Sequence, residues 1–126
     1  MIDHIYLPVT DLPRSADFYT RLLGELGWRV IGPYDSITEG VPSLYGFYAP
    51  NLSSIWLRVV SEVPAPYYVG IAVASRPGVD AIYATALEAG GTDAGHPAIR
   101  HYFSDGYYAA NVHDPDGHTL ELVNKG

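Results

Sequence analysis

Apolar and polar residues alternate strictly along residues 3–9. Ile5, Leu7 and Val9 fall on one side and His4, Tyr6 and Pro8 on the other, the pattern of a half-buried strand. The period then changes. Ala16, Tyr19, Leu22, Leu23 and Leu26 recur at helical spacing, with Asp11 suited to the N-cap, Pro13 to the first turn and Gly27 to the exit. Residues 28–31 read as a short strand. Residues 32–41, rich in Gly, Pro, Asp and Ser, read as a loop. Strands at 44–49 and 54–60, joined by a Pro50-Asn51 turn, complete the first half.

The second half follows the same order. A strand at 67–74 leads to a helix near 78–89 and a weak strand within 92–100. Strands at 107–113 and 118–124 then flank Asp114-Pro115-Asp116-Gly117, where proline and glycine supply the backbone angles of a tight turn. Between the halves, Glu62-Val63-Pro64-Ala65-Pro66 is the natural linker, because two prolines disfavour both helix and sheet pairing.

The halves also match residue by residue. Tyr19 corresponds to Tyr83, Gly27 to Gly91, and residues 54–57 to 119–122; the opening strands are matched as His4-Ile5 with Gly70-Ile71. A repeat of this length predicts two copies of one supersecondary unit. The fold expected is α+β: two βαβββ modules related by a pseudo-twofold, with curved mixed sheets enclosing a cavity and helices on the outer faces. The modules are 1–61 and 67–126, joined by the linker 62–66 in a single domain of 126 residues.

Charge narrows the partners. A formal net charge of −7 excludes a basic footprint for nucleic acid or an anionic membrane. With no cysteine there is no disulfide, thiolate nucleophile or cysteine metal ligand. No apolar run approaches the roughly 18 residues of a membrane span, and the N-terminus lacks a basic-then-apolar segment. A cytoplasmic location is therefore expected.

Two stretches, His4-Ile5 with Asp11-Leu12-Pro13-Arg14-Ser15-Ala16-Asp17-Phe18-Tyr19, and Asp114-Pro115-Asp116-Gly117-His118-Thr119-Leu120-Glu121-Leu122, resemble the vicinal oxygen chelate superfamily. That superfamily includes glyoxalase I, extradiol dioxygenases, and fosfomycin and bleomycin resistance proteins. The resemblance implies a ligand on the first and last strand of each module in the metal-dependent members. Carried over, those positions are His4, Trp56, Gly70 and Glu121, of which only His4 and Glu121 can bind a metal. A divalent ion (Zn, Ni, Mn or Fe) is then expected to be held weakly or not at all.

His4 and Glu121 are the expected catalytic pair, as residual metal ligands or as acid and base. Counting back by twos from Glu121 across the turn puts Asn111, Ala109 and Tyr107 on its face. Tyr6, Trp56, Arg58, Tyr68, His101, Tyr107 and Asn111 are the expected ligand-binding residues. Trp56 offers a flat ring, Arg58 an anion contact, and His101 opens the aromatic stretch His101-Tyr102-Phe103. His118 is expected to be structural and His96 exposed. Two functions fit: a glyoxalase-like lyase, isomerase or dioxygenase acting on a small oxygenated molecule, or a non-catalytic protein that sequesters a planar or aromatic one. The resemblance also implies a homodimer.

Overall fold

The computed structural model describes residues 1–34, 37–40 and 42–126. The chain forms two compact units, residues 1–65 and 66–126, and the division falls within the proline-containing stretch. In the first unit β1 (His4–Val9), α1 (Leu12–Gly24), β2 (Arg29–Tyr34), β3 (Leu44–Tyr48) and β4 (Ser54–Val59) make a four-stranded mixed sheet of order β1-β4-β3-β2. In the second, β5 (Tyr68–Ala72), α2 (Arg76–Glu88), β6 (Thr92–Ile99), β7 (Tyr108–His113) and β8 (Thr119–Asn124) repeat the arrangement as β5-β8-β7-β6. Each unit is βαβββ.

Local chemistry sets the elements. Asp11 caps α1 by accepting the Arg14 N–H at 3.0 Å, and Pro13 occupies the first turn, where a missing N–H costs nothing. Phe18, Tyr19, Leu22 and Leu23 recur on one side of α1 and are buried with Leu7, Phe47 and Leu57 of the sheet. Gly27, at φ +75°, turns the chain out of the helix. Ser75 caps α2 in the same way, accepting the Gly78 N–H at 3.1 Å, and Val79, Ile82 and Ala86 cover Ala110, Val112, Leu120 and Leu122. In both units the alternating apolar positions face the helix, which leaves the opposite sheet face to carry chemistry.

The sequence reading needs two corrections. Residues 32–34, expected in a loop, belong to β2, which runs to Tyr34 after an irregularity between Ile31 and Tyr34. β2 is an edge strand, where a proline that cannot donate to a ladder is tolerated. Of the remaining loop residues, 35, 36 and 41 lie outside those described. The second correction concerns the repeat. His4 pairs with Ser54 in parallel register, as Tyr68 pairs with Thr119. His4 stands as far before the cap Asp11 as Tyr68 does before Ser75. The counterpart of His4 is therefore Tyr68, and that of Gly70 is Tyr6. A slip of two residues keeps every side chain on its own face, so alternation alone does not reveal it.

The turn before β8 is held from within. The Asp114 carboxylate accepts the N–H groups of Asp116 and His118, both at 2.9 Å, and Gly117 adopts φ +90°. His118 is fully buried; its Nδ1 accepts the Tyr67 N–H at 2.8 Å, and its ring meets that of Tyr67 edge-on. The structural role expected for His118 is thus visible as a tie between the turn and the entry to β5.

Candidate functional site

Across the open face of the second sheet, register aligns Gly70 of β5, Glu121 of β8, Asn111 of β7 and Gly95 of β6 in one row. Glu121 is the buried member, 8% exposed. One of its carboxylate oxygens accepts the hydroxyl of Tyr68 and the other that of Tyr107. Asn111 Nδ2 donates to the Tyr68 hydroxyl at 2.9 Å. These four residues form one connected hydrogen-bond network.

The carboxylate changes the phenols it touches. The hydrogen bond to Glu121, with desolvation and the nearby negative charge, pushes Tyr107 up to about 12. Tyr68 is raised as well, first by desolvation and then by its bond to Glu121. Because the folded-state value of Tyr107 exceeds the ordinary 10, its stabilising contribution is complete below pH 10. It is lost as the pH rises from there toward 12. Titration of tyrosinate absorbance should show a phenol near pH 12 whose contribution disappears in Tyr107→Phe. A wild-type profile finished by pH 11 would contradict the Tyr107–Glu121 bond.

An aromatic wall adjoins the network. Phe103 lies against Tyr107 with ring centroids 4.8 Å apart, and Tyr102 against Phe103 at 4.6 Å. Tyr68, Tyr102 and Phe103 are 64%, 76% and 62% exposed, so large flat surfaces stand open beside a buried carboxylate. The Lys125 ammonium sits 5.8 Å from the Tyr107 ring centre. At the far end of the row, Arg100 lies over Gly95 and donates to the His96 carbonyl at 3.1 Å. A Cβ at Gly95 would stand 3.1 Å from Arg100 Nη2 and 3.5 Å from Asn111 Oδ1.

The first unit carries a different constellation at corresponding positions. Trp56 stands where Glu121 stands in the second unit, and Gly46 where Asn111 does. The indole lies directly over Gly46: a Cβ there would meet its six-membered ring at 2.6–2.8 Å. Trp56 Nε1 donates to Ser54 Oγ at 3.1 Å, and Tyr48 meets the ring edge-on. His4 bonds Asp3 at 2.6 Å and stacks edge-on against Tyr6, with centroids 5.5 Å apart.

Of the residues expected from sequence, Tyr68, Tyr107, Asn111 and Glu121 are brought together. His4, Tyr6 and Trp56 share one sheet face in the first unit, as does Arg58, which is exposed. His101 pairs instead with Asp105 at 3.0 Å, in the turn after β6. Arg100 was not expected. The only signal for it in the sequence is its place directly before His101-Tyr102-Phe103.

A family model described as the glyoxalase/bleomycin resistance protein/dioxygenase superfamily matches residues 1–122. The chain belongs to that superfamily. Its fold is similar to that of a glyoxalase/bleomycin resistance protein from Albidiferax ferrireducens T118, at 26% identity and TM-score 0.77 over 98% of each chain. It is also similar to a family enzyme from Burkholderia phytofirmans PsJN, at 19% identity and TM-score 0.73 over 98% of each chain. A glyoxylase/bleomycin resistance protein/dioxygenase domain from Frankia sp. EAN1pec matches at 20% identity and TM-score 0.74, over 98% of this chain and 95% of its own. No curated protein sequence matches the chain. Among the described residues, no helix is long and apolar enough to cross a membrane.

Proposed function

We propose that this protein binds a planar or aromatic small molecule against the open face of its second sheet, without a metal ion. The observation that carries this reading is the buried Glu121 carboxylate, with a tyrosine hydroxyl on each oxygen and exposed aromatic rings beside it. Small-molecule sites combine apolar surface with a few placed polar groups in this way.

The donor set does not fit a divalent ion held as in the metal-dependent members. With the register corrected, the four corresponding positions are His4, Trp56, Tyr68 and Glu121. Trp56 has only an N–H, already donated to Ser54, and Tyr68 donates to the carboxylate an ion would need. Among the described residues, no three His, Cys, Asp or Glu side chains are grouped to hold a metal.

A catalytic reading has one observation in its favour. Tyr68 is exposed, yet its hydroxyl bridges Glu121 and Asn111, and such a phenol could pass a proton between a bound molecule and the carboxylate. Turnover would then depend on Tyr68, and Tyr68→Phe would abolish it while sparing binding.

Calorimetric titration with small aromatic acids, quinones and aliphatic α-keto compounds tests the primary reading. Stacking contributes about 0.5–1.5 kcal/mol beyond area burial, so aromatic ligands should bind several-fold tighter than aliphatic ones of equal charge. Equal affinities would defeat it. Zn²⁺, Ni²⁺ and Mn²⁺ should bind weakly in the same instrument, and tight stoichiometric uptake would overturn the metal-free part. The assembly proposed is a homodimer, and light scattering should report twice the mass of the 13.7 kDa chain.

A further inference from the structure

The second unit holds three lysine and arginine side chains, and two are engaged with rings: Arg76 over Tyr108 and Lys125 over Tyr107. The third, Arg100, sits at the end of the row that contains Glu121. Gly95 provides the room: a Cβ there would stand 3.1 Å from the Arg100 guanidinium and in van der Waals contact, at 3.5 Å, with the Asn111 amide oxygen, so Arg100 and Asn111 flank the same glycine. One Nη2 hydrogen bond goes to the His96 carbonyl, which fixes the head group at the edge of the open face. A guanidinium has five N–H donors in a planar fork that matches a carboxylate. β6 lies two strands from β8, so on the order of 10 Å separates an anion at Arg100 from the Glu121 carboxylate.

We propose that Arg100 is the specificity-determining residue of this site and selects aromatic ligands that carry a carboxylate. The inference rests on the binding reading above and names its ligand class. The ring lies on the aromatic wall of Tyr68, Phe103 and Tyr107, and the carboxylate meets Arg100 beside Asn111. A neutral ligand of the same shape gains the stacking and forgoes the charged contact.

The test uses 2-naphthoate and 2-naphthamide, which differ in charge and hardly in shape, titrated calorimetrically into the intact protein. Wild type should prefer the carboxylate by about tenfold, the scale of one charge-assisted contact. Arg100→Gln should bind both equally with unchanged naphthamide affinity, and Arg100→Lys should keep part of the preference. Raising the salt concentration should weaken naphthoate alone, a readout that needs no variant and so survives a misfolded one. No preference in wild type, or a preference that persists in Arg100→Gln, overturns the assignment while leaving the aromatic site standing. If neither naphthalene binds, the aromatic site itself fails, and the assignment with it.

Discussion

Gly46→Leu should destabilise the protein by about 3 kcal/mol, the upper part of the range for forcing bulk into a filled position. The Cβ alone would stand 2.6 Å from the Trp56 ring, closer than real Cβ contacts come, and the ring has little freedom to yield. Its Nε1 is bonded to Ser54 and its edge meets Tyr48. The indole must therefore lift off the sheet and lose its hydrogen bond. Chemical denaturation would measure the loss. The tryptophan emission should also move to the red as the ring reaches water, and Trp28→Phe in both backgrounds isolates the Trp56 signal. Unchanged stability and emission would mean that the indole does not rest on Gly46.

His118→Ala should cost about 3 kcal/mol, through a cavity in a fully buried position and the loss of the acceptor for the Tyr67 N–H. The effect should extend beyond stability. Tyr67 leads directly into Tyr68, whose hydroxyl reaches Glu121 and Asn111, so loosening the entry to β5 loosens the network. Nuclear magnetic resonance should show amide exchange rising at residues 67–69 more than at 79–86 in α2. A uniform rise throughout the unit would reduce His118 to ordinary core filling. His118→Asn, which offers a shorter acceptor, should recover part of the loss.

Much of this architecture was legible in the sequence, because its causes are local. The cap-then-proline signature at Asp11-Leu12-Pro13 and the Tyr19/Tyr83 and Gly27/Gly91 pairs mark two helices, although the second, expected near 78–89, starts at Arg76 behind its own cap, Ser75. Those same caps held the information that corrects the repeat, since they lie equally far from His4 and Tyr68. Strand alternation pulled the other way by aligning Ile5 with Ile71, and it is blind to a slip of two. The Glu121, Asn111 and Tyr107 face followed from counting by twos through a turn whose geometry its residues dictate. Arg100 was not legible. Its position depends on the irregular pairing of β6 with β7 near Gly95, and a bulge breaks the parity on which such counting relies. The placement of His101 against Asp105 rather than the network has the same origin, in a turn with no repeating period.

Gly70 ends the row that runs through Glu121, and nothing lies within 4 Å of where its Cβ would stand. Its backbone is not of the kind that only glycine adopts, and a glycine within a strand is less favourable than a β-branched residue. The fold therefore does not require the glycine, and the space above it is an adjustable dimension of the protein. Serine, valine or histidine at this position would reshape the floor beside the carboxylate without disturbing the core on the other side of the sheet. New ligand preferences could be reached from this sequence by single steps at one site, with stability held constant or improved as they are taken.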